Sequence, residues 1–157
     1  MPRWAGNLVN DMIDVKLVLK APQDASGFQF DFDFFSSEWP NYVCSNFNDA
    51  FVAYLTSSTT TDTISYDSKG NPVAVNILGG FGDTYQTQCD PSVNNVTATL
   101  GASTGWLTTK APIQPGEQFT LEFMIWDAGD GLLDSSVLVD HFQWLGGSVS
   151  TGTTPVQ

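Results

Sequence analysis

Positive charge is scarce in this chain: five Lys and Arg stand against 17 Asp and Glu in 157 residues, a formal net charge of −12. Arg3, Lys16, Lys20, Lys69 and Lys110 are scattered and build no basic patch, which argues against nucleic acid and anionic membrane surfaces as partners. No apolar run approaches the ~20 residues that span a bilayer, so direct membrane insertion is not expected. Met1-Pro2-Arg3 does not read as a signal peptide, and the chain is expected to be a mature fragment whose export signal or anchor lies elsewhere. Histidine occurs once, as His141 beside Phe142 in a strand-like stretch, so a serine or cysteine triad would hang on a single imidazole with packing as its default role. The two cysteines, Cys44 and Cys89, lack CxxC spacing, which disfavours zinc. A Cys44–Cys89 disulfide would stabilise the fold by about 4 kcal/mol on the chain-entropy estimate and place the protein outside the cytoplasm. Two buried free thiols are the other reading.

A helical stripe of three turns is also missing, whereas period-two alternation recurs, so the chain reads as all-β. The clearest case sets Phe28, Phe30, Phe32 and Phe34 on one face and Gln29, Asp31 and Asp33 on the other, predicting one packed face and one facing water or metal. Further strands are expected at residues 15–20, 49–55, 63–66, 73–77, 96–100, 105–109, 118–126 and 136–144. A hairpin turn is expected at Asp67-Ser68-Lys69-Gly70-Asn71-Pro72 and another turn at Ile113-Gln114-Pro115-Gly116-Glu117. Strands at this spacing with long connections predict a jelly-roll-like β-sandwich over residues 15–145. Residues 1–14 are expected to be an N-terminal segment, trimmed or available for strand exchange, and residues 146–157 a flexible tail or linker.

Three carboxylates, Asp127, Asp130 and Asp134, occupy a short turn in which Gly129 and Gly131 can take positive φ and aim several oxygens at one point. An Asx-rich turn with solvated acids is the plain alternative. A second polar loop supplies Glu38, then Asn46, Asn48 and Asp49, all oxygen donors suited to Ca2+ rather than to softer metals. Neither loop alone reaches the six to eight oxygens calcium prefers, so one site drawing on both is expected if they sit together. Asn48 and Asp49 can instead staple the turn by side-chain to backbone hydrogen bonds. Asp31, Asp33, Glu38 and Glu122 could line a sandwich face and supply paired carboxylates for glycoside hydrolysis, but a general acid needs a raised pKa in an apolar pocket and these acids lie among polar residues. The chain is therefore expected to be non-enzymatic.

Phe34-Phe35-Ser36-Ser37-Glu38-Trp39-Pro40, Phe47-Asn48-Asp49-Ala50-Phe51, Asn71-Pro72-Val73-Ala74-Val75-Asn76, Ala111-Pro112-Ile113-Gln114-Pro115-Gly116 and the stretch from Asp127 to Ser135 occur in that order. Together they resemble the choice-of-anchor L domain over most of the chain from about Phe28 to Trp144. The resemblance implies a bacterial exported or surface protein without catalytic activity. Its glutamate position falls on Glu38, its Asn-Asp pair on Asn48 and Asp49, and its aspartate-rich turn on Asp127, Asp130 and Asp134. The cysteines are no part of the general motif.

The expected function is an extracellular calcium-binding module acting in adhesion to a cell-surface or matrix component. Two alternatives compete. A filament subunit would self-associate by strand exchange, donating the segment with Leu8, Val9, Met12 and Ile13 in preference to the Gly- and Thr-rich tail. A lectin-like module would stack a glycan on an exposed ring, with Trp39 the first candidate ahead of Tyr42, Tyr85 and Trp106; Trp126 and Trp144 are expected to be buried.

Overall fold

In the computed structural model the described residues are 9–42, 45–67, 70–75 and 101–156. They form ten strands: β1 (Val9–Lys20), β2 (Gly27–Ser36), β3 (Ala50–Thr56), β4 (Thr61–Thr63), β5 (Val73–Ala74), β6 (Ala102–Ser103), β7 (Leu107–Pro112), β8 (Gln118–Ala128), β9 (Ser135–Leu145) and β10 (Gly152–Pro155). All pairings are antiparallel. One sheet runs β1-β8-β3-β4, with β5 also on β3; the other runs β10-β7-β2-β6, with β9 on the opposite edge of β2. The fold is a β-sandwich, as the alternation predicted.

The core follows directly from β2. Phe28, Phe30, Phe32 and Phe34 are fully buried between the sheets and meet Phe51, Phe119, Leu121 and Phe123 from the facing sheet. Burying each such ring stabilises the fold by about 1.5–3 kcal/mol. The opposite face departs from expectation, because Asp31 and Asp33 are only 8% and 6% exposed. Flanked by β9 on one side and by β7 and β6 on the other, they lie under neighbouring side chains. Thr108 Oγ1 donates to Asp31 Oδ1 (2.6 Å), His141 Nδ1 lies 3.1 Å from Asp31 Oδ2, and Thr104 Oγ1 donates to Asp33 Oδ1 (3.3 Å). His141 is carried outward on a bulge of β9 with φ 51°.

The strand limits differ at both ends of the chain. Val9 to Ile13 belongs to β1 and pairs with β8, so the sandwich starts before Val15. Residues 152–155, expected within a free tail, add β10 to the edge of β7, where Thr109 and Thr153 share a hydroxyl hydrogen bond of 2.9 Å. The β-branched Thr153 and Thr154 suit an edge strand, and Pro155 sits where its missing N–H does least harm. The expected hairpin closes through the Tyr66–Pro72 bridge, with the Asn71 amide donating to Asp67 Oδ1 at 2.7 Å. Residues 96–100, Tyr85 and both Cys44 and Cys89 lie outside the described residues.

Candidate functional site

Four segments distant in sequence meet at one end of the sandwich. β2 terminates at Ser36, whose hydroxyl accepts from the Glu38 amide (3.2 Å) and starts the loop that carries Glu38. The Ser37 amide and hydroxyl both donate to the Asp134 carbonyl (3.3 and 2.9 Å), tying that loop to the acidic turn. The turn is also pressed from two other sides. A Cβ on Gly129 (φ 101°) would lie 2.8 Å from Phe47 Cδ1, and one on Gly131 would lie 2.8 Å from Asp11 Oδ2. Glycine is required at Gly129 by contact as well as by dihedral, whereas Gly131 does not take the positive φ expected of it and meets only the movable end of the Asp11 side chain.

Asp49, 1% exposed, clasps the ends of β8 and β9: the Ala128 amide donates to Oδ1 (3.0 Å) and Ser135 Oγ to Oδ2 (2.6 Å). The stapling role is thus present, and it leaves lone pairs on both oxygens. Glu38 is satisfied only in part: it is 2% exposed, the Asp49 amide supplies one hydrogen bond to its carboxyl, and its Oε2 is buried without a hydrogen-bond partner. Burial, and then the negative charge of Asp49, push its carboxyl up to about 8, with Asp130 contributing in the same sense. Asp127, at the end of β8, is raised to about 6 by burial and then by Asp49, Asp11 and Asp134. Asp130 Oδ1 accepts from the Leu132 amide (3.1 Å) in an Asx turn, and its carbonyl accepts from Asn10 Nδ2 (2.9 Å). Asn48 is half-buried in the adjoining loop.

The structure therefore gathers Glu38, Asp49, Asp127, Asp130 and Asp134 around one end of the fold and adds a residue the sequence did not single out. Asp11 sits at an irregularity of β1 with φ 46°, which turns its carboxylate toward Gly131. Its neighbours in sequence give no sign of this, because a bulge is a property of the paired strands. Among the described residues, no three carboxylate, imidazole or thiolate groups are disposed to hold a metal ion as they stand. The Asp49 carboxyl does contact those of Glu38 and Asp127, and each contact favours a proton on the pair.

Two aromatic expectations fail. Trp39, expected to be exposed, is half-buried, packs on the core and points its Nε1 into the interior. Trp144 is 37% exposed because β9 is the outermost strand of its sheet, whereas Trp126 is buried at 8%. Phe35, also 37% exposed, borders an open depression of about 420 Å³ with Ser37, Ser103, Ser136 and Asp134. The sequence matches a family model, the Choice-of-anchor L domain, over residues 21–142.

The chain belongs to the choice-of-anchor L family. Comparison with curated proteins and with solved structures finds no match. Choice-of-anchor L domains are a non-catalytic type of bacterial surface domain, and membership makes this a cell-surface or exported protein. Among the described residues no helix is long and apolar enough to cross a membrane. The family match contains every acid of the cluster except Asp11, so the loops that build the cluster are family territory.

Proposed function

We propose that this domain is a non-enzymatic, calcium-binding β-sandwich module that works outside the cell in adhesion or attachment to a matrix component. One observation carries the reading: Glu38 Oε2 is sealed from water and lacks a hydrogen-bond donor, while the Glu38 carboxyl has Asp49 and Asp130 as acidic neighbours. A carboxylate in that position costs several kcal/mol unless a proton or a cation compensates it. Glu38, Asp49, Asp127, Asp130 and Asp134, with Asn48 and Asp11 beside them, offer only oxygen donors, the set that suits Ca2+. Calcium supplies positive charge that joins the loops, and a ligand that binds only the folded state stabilises it by mass action.

A raised carboxylic acid is also what a general acid requires. At 2% exposure, however, Glu38 presents no surface to a substrate, and the binding reading is preferred. For the bound partner, the depression beside Asp134, where Phe35 is exposed among mainly apolar lining, offers a more open surface than the half-buried Trp39 first expected.

Thermal melting tests the cation. At calcium 10–100 times its Kd the stabilisation is about 1.4–2.7 kcal/mol, or about 3–10 °C for a domain of this size. Asp130→Asn should lower the melting temperature in calcium and hardly change it in chelator. Equal melting in calcium and chelator would remove the ion from the account.

A further inference from the structure

Among the described residues the sandwich is open along one flank. β1 and β9 are the outermost strands of their sheets, and among the described residues neither has a partner on its outer edge. Directly paired residues of antiparallel strands project to the same side. Ile13, Val15 and Leu17 pair with Ile125, Phe123 and Leu121, which pack in or against the core, so they lie on the inner face of their sheet. They are nevertheless 61%, 48% and 37% exposed. On the other sheet Val139 and Trp144 pair with the fully buried Phe32 and Phe28, and Phe142 stacks on Phe28 with centroids 5.5 Å apart. These three are 41%, 37% and 40% exposed. A cavity of about 400 Å³ lies between Ile13 and Val15 on one side and Val137 and Val139 on the other.

Core-facing side chains left open in two facing rows, beside two unpaired backbone edges, call for an occupant that brings both apolar side chains and main-chain hydrogen-bonding groups. An extended strand does so, with alternate residues entering the groove. The source is not a strand of this chain among those described, because Val9–Ile13 is already paired to β8 and residues 152–155 to β7. A net charge of −12 also opposes side-by-side packing of two whole copies. The same charge, with Asp11 and Asp127 at the end of the groove where β1 begins, favours a basic terminus on the incoming strand.

We propose that the β1/β9 flank binds an extended segment of a different protein by β-strand addition, with apolar residues at alternate positions and Lys or Arg at the end beside Asp11. The apolar groove does not rest on calcium binding; only the preference for a basic end draws on Asp11 and Asp127, which the calcium reading also uses. The test pans the full chain against a displayed library of random twelve-residue peptides and measures the enriched peptides by fluorescence anisotropy. The expected winners alternate apolar residues and carry a basic end. Their affinity should fall at least tenfold with Val15→Asp and with N-methylation of alternate peptide amides. It should survive Val18→Asp, which alters the outer face of the same strand, where Val18 is 60% exposed. Val139→Lys should reproduce the Val15→Asp loss from the opposite wall, which separates a filled groove from a damaged β1. The proposal is overturned by an enriched set without alternation or by no enrichment. It is equally overturned by equal effects of Val15→Asp and Val18→Asp. Slow hydrogen exchange of the β1 edge in the free protein, as monomer or dimer, would assign the groove to this chain's own residues or to a second copy.

Discussion

Two sets of buried acids lie at opposite extremes of satisfaction. Asp31 and Asp33, in the middle of β2, are nearly as enclosed as Glu38 and Asp49, yet threonine hydroxyls and the His141 imidazole meet their oxygens. At the loop end Asp49 is satisfied in the same way by Ala128 and Ser135, while Glu38 keeps an oxygen with no donor and has like charges for neighbours. Burial alone therefore does not mark a site. A buried acid that the fold has paired is architecture; one that the fold has left unpaired among other acids requires something from outside, a proton or a cation.

The largest effects should come from breaking the paired acids. Asp49→Ala removes two hydrogen bonds to a buried carboxylate and should cost about 3 kcal/mol, and Asp31→Ala about 2 kcal/mol. Denaturant unfolding should return the same Asp31→Ala loss in calcium and in chelator, and a larger Asp49→Ala loss in calcium, because that variant also removes a proposed calcium ligand. Glu38→Gln should behave oppositely, abolishing the calcium-dependent rise in melting temperature while leaving the chelated protein at least as stable near pH 8.

The pH dependence sharpens the contrast further. Glu38 and Asp127 have folded-state pKa values of about 8 and about 6, above their ordinary 4.5 and 3.8. Between about pH 4 and 8 the folded state holds more protons than the unfolded state, so stability in chelator falls as pH rises, by on the order of 1 kcal/mol per unit. Below that window both states are protonated and the effect vanishes. Calcium displaces those protons and should flatten the curve, as Glu38→Gln should in chelator. The smallest effect is expected from Asp11→Asn, a few-fold loss of calcium affinity by calorimetry with melting in chelator unchanged.

What the sequence made legible follows from the range of the forces involved. The Phe28 to Phe34 alternation announced the core because period two is local, and Pro115-Gly116 announced a turn, seen in Gly116 at φ 72°. Glu38, Asp49 and the Asp127 to Asp134 turn were legible as an oxygen-rich set because the two loops were each dense in acids. Their meeting was expected, and the Ser37 contact with Asp134 realises it. Asp11 was not legible, since its place depends on a bulge against β8. Nor was the fate of the aromatics: Trp39 next to Pro40 read as an exposed loop ring but turned inward, and Trp144 read as core but lies on an open edge. Those outcomes depend on which strands end up outermost, a long-range property that no short window contains. The raised pKa of Glu38 was likewise unexpected, because its loop is polar in sequence although its carboxyl is buried in space.

Calcium titration by isothermal calorimetry, run near pH 7.5 in two buffers of different ionisation enthalpy, tests the central claim most directly. The account predicts saturable binding with a Kd of about 10⁻³ M or tighter, proton release seen as a buffer-dependent enthalpy, and loss of both signals in Glu38→Gln. Saturable heat absent up to roughly ten times that concentration, or unaltered binding in Glu38→Gln, would contradict it.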